Sequence, residues 1–120
     1  MNSRDDVKKF MDACDQKSTG LNSKQAELYV KLIREEFDEL TKAFFEKDIV
    51  EIADGCADLK WVIEGLEHTL EIPQQEVWDE VARSNLSKIS DDGKVKKRKD
   101  GKVMKPEGWT PPDIKSILKK

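Results

Sequence analysis

The sequence has no run approaching the roughly 18 consecutive apolar residues of a membrane span, and Met1 to Phe10 carries no apolar h-region of a secretory signal. Those two absences set the expectation of a cytoplasmic protein with no membrane partner. Cysteine is scarce. Cys14 and Cys56 lie far apart without a metal-type spacing, so reduced structural thiols are expected. His68 is the only histidine and has no catalytic partner in sight, which leaves it a structural residue. Internal repeats and low-complexity segments are absent as well. Nor does one charge dominate: 22 Lys and Arg against 25 Asp and Glu give a net charge near −3. No global field then pulls the chain toward nucleic acid or a membrane.

What the sequence does have is charge of both signs, 39% of residues against 37% hydrophobic. That ratio suits amphipathic helices with solvated outer faces. A chain of 120 residues fits one domain, small enough that a partner chain would help its core. The core is expected over 23–90 and a basic tail over 91–120. Acidic residues crowd positions 35 to 80, and the stretch from Arg83 to Lys105 is basic.

Periodicity predicts an all-α fold of about four helices. A short helix runs from Asp5 to about Cys14, followed by a polar loop containing Gly20. Ser23 can cap a long helix reaching about Lys47, with Leu28, Leu32, Ile33, Phe37, Leu40 and Phe44 at helical spacing. Asp48 can cap a third helix, and Pro73 fits the first turn of a fourth. Trp61 and Trp78 fall at helical spacing with these apolar rows and read as packing residues. Asp100-Gly101 then signals a short basic hairpin, and two proline turns lead into a short terminal helix.

Some carboxylates stand where apolar residues belong. Glu36 is four residues after Leu32, and Glu39 follows three further on, so both share a face bordering the apolar stripe. On the third helix Asp54 and Asp58 continue the row of Val50 and Val62 at intervals of four. Two like charges about 4 Å apart repel by roughly 4 kcal/mol at an effective dielectric near 20. Carboxylates turned toward a core must therefore be paired, protonated or bound to a cation. An all-oxygen set points to a hard divalent ion, magnesium or manganese, and so to polyphosphate chemistry. Ordinary surface pairing with Lys42, Lys47 and Lys60 is the plainer alternative.

The pattern E-E-x-x-E followed by an acidic pair in an A-D-L context resembles the all-α NTP pyrophosphatases, which include MazG, dUTP and dCTP pyrophosphatases and phosphoribosyl-ATP pyrophosphohydrolase. Downstream, EVWDEVARSNLSKI, DGK and KPEGWTPPDI look like the C-terminal segment of MazG-like members from bacteria and phages. The resemblance covers roughly Leu32 to Leu118. It implies a nucleoside triphosphate substrate cut to monophosphate and pyrophosphate, with magnesium (or manganese) held by Glu36, Glu39, Asp54 and Asp58. Glu35 and Glu36 take the catalytic roles, Glu35 by holding a further ion or orienting the attacking water. Many members carry E-x-x-D, which would put a glutamate at Gly55, three residues before Asp58. Asp54 is assigned the missing role, with Glu51 in reserve.

For the departing pyrophosphate the picks are Arg83, Lys88 and Lys105; Asn85 is suited to a sugar or phosphate, and Trp109 either covers the base or anchors the tail. The stretch from Lys94 to Lys99 is read either as part of this basic site or as a solvated hairpin. Family members close their core with hairpins from two chains, so a homodimer or homotetramer is implied. Two other readings compete. One is phosphoribosyl-ATP pyrophosphohydrolase of histidine biosynthesis, against which the K-P-x-G-W tail argues. The other is a non-catalytic helical nucleic-acid-binding module, which leaves the carboxylates unexplained.

Overall fold

The computed structural model describes residues 2–119. Its regular structure is helical, and it divides after Ile72 into two compact units. No described helix is long and apolar enough to cross a membrane.

In the first unit, α1 (Ser3–Ala13) begins where the Asn2 side chain accepts the Asp5 amide at 3.0 Å. Helix α2 (Lys24–Phe45) is capped by Ser23, whose hydroxyl accepts the Ala26 amide at 3.0 Å. Helix α3 (Ile49–Thr69) is capped by Asp48 through the Glu51 amide at 3.2 Å. These caps satisfy amides that have no partner within the helix. Helix α2 stops two residues before the expected Lys47, because Lys47 itself is left-handed at φ 60°. Its amide and that of Asp48 turn back to the carbonyls of Phe44 and Ala43, which closes the helix as a C-terminal cap.

Helices α2 and α3 pack along their length as a hairpin, and α1 lies on α3. Two glycines of α3 permit the close approach. A Cβ on Gly55 would sit 3.3 Å from the Leu40 backbone, and one on Gly65 would overlap the Tyr29 ring. The buried centre is Val7, Met11, Tyr29 and Val62, ringed by Leu32, Ile33, Leu59 and Leu66. This core is narrower than the apolar stripe of α2: Leu28, Phe37 and Phe44 stay exposed. Cys14 and Cys56 are free and exposed, so they contribute thiols but no core. The loop before α2 is tied to the end of α3. Thr19 and Gly20 donate to the Thr69 carbonyl at 3.0 and 3.1 Å, and Ser18 Oγ donates to that of half-buried His68 at 2.8 Å.

The second unit contains α4 (Gln74–Leu86) and the short α5 (Ile114–Leu118). Pro73 is the residue preceding α4 rather than its first turn. Between them Gly101 takes a left-handed φ of 86°, and Arg98 and Met104 donate to Lys102 and Lys96 at 2.8 and 2.7 Å. The expected hairpin is present, although its pairing amounts to one bridge, Lys97 with Val103. The tail is fastened to α4. Buried Ser84 donates to the Thr110 carbonyl at 2.9 Å, and the Trp109 indole donates to the Ser84 carbonyl at 2.8 Å.

Candidate active site

The carboxylates singled out from the sequence lie on the facing helices of the first unit. Glu36 is half-buried, and its Oε2 is closed off from solvent without a hydrogen-bond partner. Burial pushes the Glu36 carboxyl above the usual glutamate range, and Glu39, Asp58 and Asp54 push it the same way. Asp58, also half-buried, is raised first by burial and then by Asp54 and Glu39. Four carboxylates from two helices thus form one electrostatic group. Glu39 and Asp54 of that group are exposed, as are Glu35 and Glu51 on the same two helices. Among the described residues, no three His, Cys, Asp or Glu side chains converge tightly enough to form a ready metal cluster. The acids instead meet in pairs, Glu36 with Glu39 and Asp58 with Asp54, where a proton shared within each pair relieves the repulsion.

As a donor set the group fits a hard cation. It offers only oxygen, and the orphaned Glu36 oxygen needs a proton or a positive charge. Gly55 is buried against Leu40, so the helix contact leaves little room there for the glutamate that the resemblance would place. Glu51, three residues before Asp54, supplies the E-x-x-D spacing one turn earlier.

The basic candidates belong to the second unit. Arg83 donates to both carboxylate oxygens of Glu80, at 2.7 and 3.1 Å, and to the Pro111 carbonyl at 3.3 Å. Glu80 also accepts the Asp113 amide at 2.6 Å. The Arg83 guanidinium, together with that amide, holds the Glu80 carboxyl down at about 2. Asn85 is exposed and accepts the Lys88 ammonium at 3.0 Å. Lys88 and Lys105 sit 5.4 and 4.6 Å from the centroid of the Trp109 ring. Trp109 therefore anchors the tail through its indole N–H while its ring gathers two cations.

Reading from the sequence missed Glu80 and Ser84. Both left a signal: Glu80 is three residues from Arg83, and Ser84 continues the Val77–Val81 row as a polar residue. The expectation that Trp61 and Trp78 are packing residues needs correcting for Trp78. Trp78 is 63% exposed, and Trp61, at 37%, meets Phe10 edge-on. Helical spacing marks a face; it does not supply something to cover it.

An all-helical chain with a carboxylate group on a helix hairpin belongs with the all-α nucleotide pyrophosphohydrolases. Residues 6–85 match the family model of phosphoribosyl-ATP pyrophosphohydrolase, and the chain belongs to that family. The matched segment contains every carboxylate of the group together with Arg83 and Asn85, while Lys88, Lys105 and Trp109 lie beyond it. A comparison with curated proteins returned no match.

Proposed function

We propose that this chain hydrolyses ribo- or deoxynucleoside triphosphates to the monophosphate and pyrophosphate, with magnesium held by Glu36, Glu39, Asp54 and Asp58 and manganese able to replace it. The observation that carries this reading is the buried, unpartnered Oε2 of Glu36 within a group of mutually repelling carboxylates. When bound, the ion supplies positive charge to phosphoryl oxygens and acidifies water. Glu35, exposed one position before Glu36, holds a further ion or orients the attacking water. Lys88 and Lys105 neutralise the departing pyrophosphate. Asn85 holds Lys88 in place and offers its amide N–H groups to a sugar or phosphate. Arg83, engaged by Glu80, fixes the segment that carries Trp109.

The assembly proposed is a homodimer or homotetramer. Supporting it is an open groove of about 700 Å³ on α2 and α3, whose lining includes Val30, Ile33, Phe37, Leu59 and Ile63. A second copy would cover these apolar side chains.

One specific observation favours a second substrate, phosphoribosyl-ATP: the matching family model carries that enzyme's description. Incubation with each common NTP, each dNTP and phosphoribosyl-ATP, in magnesium, separates the two by pyrophosphate release. Turnover of nucleoside triphosphates with phosphoribosyl-ATP untouched supports the proposal. Turnover confined to phosphoribosyl-ATP replaces it.

A further inference from the structure

Within the second unit, a pocket of about 220 Å³ is lined by Lys88, Ser90, Lys96, Met104, Lys105 and Glu107, among others. Three separate stretches build it: the turn after α4, the first arm of the hairpin and the segment following the second arm. Backbone bonds hold those stretches in register, with Ser90 donating to Lys94 and Met104 to Lys96, each at 2.7 Å. Two of the three ammonium groups are also positioned. Lys88 donates to Asn85 at 3.0 Å, and both Lys88 and Lys105 lie against one Trp109 ring. That ring is itself fixed by its bond to the Ser84 carbonyl. None of Lys88, Lys96 and Lys105 takes part in an ion pair among the described residues.

Three lysines and one carboxylate, Glu107, line this small space, so its lining carries an excess of positive charge that an anion of more than one charge offsets. Each ammonium offers three donors and behaves as a point charge, which suits phosphoryl oxygens of any orientation. Holding two lysines against one ring lowers the ordering cost of binding. The volume suits adjacent phosphoryl groups better than a whole nucleotide, and the spread of lysines over three stretches favours two phosphoryl groups over one.

We propose that this pocket is a diphosphate site, in which Lys88, Lys96 and Lys105 hold inorganic pyrophosphate, or the β and γ phosphates of a nucleotide, without a metal. The assignment rests on the hydrolytic reading for its biological occupant, and it adds Lys96 to the residues that contact phosphate. Calorimetric titration of the full chain with inorganic pyrophosphate, in chelator and at low salt, tests it. The expected result is saturable binding at one site per chain, with inorganic orthophosphate much weaker. Lys96→Gln and Lys105→Gln should each weaken binding about tenfold, as loss of one charge-assisted contact does. Lys99→Gln, on the hairpin but outside the pocket lining, should leave it unchanged. Absence of saturable pyrophosphate binding overturns the proposal, as does equal loss in all three variants. Displacement of pyrophosphate by a tighter-binding single-stranded oligonucleotide also overturns it and reassigns the surface to nucleic acid. Hydrolysis measured in parallel keeps the two ideas apart. Pyrophosphate binding without triphosphate turnover retains the pocket and removes the catalytic reading, whereas turnover without binding does the reverse.

Discussion

At Glu36 the fold buries a carboxylate oxygen and places three further acids around it. Glu36 and Asp58 both hold their protons to higher pH folded than unfolded. Metal-free protein therefore keeps their full contribution below the ordinary carboxylate range and loses it as pH rises through the raised values. Glu67 acts in the same direction, raised by burial and then by Glu64. Glu80 does the opposite: held at about 2, it stabilises above the usual glutamate range and fails only in stronger acid. In chelator, the melting temperature should rise as pH falls toward the ordinary carboxylate range, and Glu36→Gln should flatten that rise. An equally steep rise in the variant would count against Glu36 as its main source. Asp54 poses a second test at this scale. Asp54→Asn should sharply weaken magnesium-dependent activity while leaving metal-free stability equal or slightly higher, and Glu51→Gln should do less. Loss in the Glu51 variant with near-normal Asp54→Asn activity would move the ligand up one turn. The carboxylates were legible because they interrupt apolar rows. The engagement of Arg83 was not, because its partners come from Pro111 and the side chain of Glu80, and spacing alone does not show which neighbour a cation takes.

The helices were legible for a similar local reason: Ser23 and Asp48 sit immediately before apolar periodic runs, and both cap as their chemistry suggests. The end of α2 was less so, since a left-handed Lys47 is a tertiary choice that no glycine announces. The close contact of α2 with α3 also depends on position rather than composition. Gly65 stands where the Tyr29 ring packs, and the Tyr29 hydroxyl donates to Gln16 at 2.7 Å. Gly65→Ala should displace that ring and cost about 1–3 kcal/mol by overpacking, read by denaturant unfolding. A change near zero would mean that the helices separate easily and that the core is looser than described. In the second unit, Glu80→Gln should free the segment around Pro111 and Asp113. Faster tryptic cleavage after Lys115, with the first unit intact, is the expected outcome, and an unchanged digestion rate would show that Ser84 and Trp109 hold the tail alone.

Across the whole molecule, the acidic helix hairpin and the basic C-terminal segment were visible from charge distribution, and the all-helical class from periodicity. What covers the outer apolar side chains was not visible, because helical spacing marks an apolar face without specifying what packs on it. Phe37 is 57% exposed and Val30 56%. Sedimentation at micromolar concentration should give a mass above that of one chain, and Phe37→Glu should lower it toward one; a single-chain mass for the unaltered protein would remove the proposed assembly. The proposed hydrolysis turns on which bond of a triphosphate breaks. Phosphorus NMR of the full chain with a nucleoside triphosphate and magnesium, followed from the first minutes, reads that directly. Monophosphate and pyrophosphate should appear together in equal amounts, stop with chelator and be lost in Glu36→Gln. Orthophosphate and nucleoside diphosphate as the first products, or turnover that survives both treatments, would contradict that reaction.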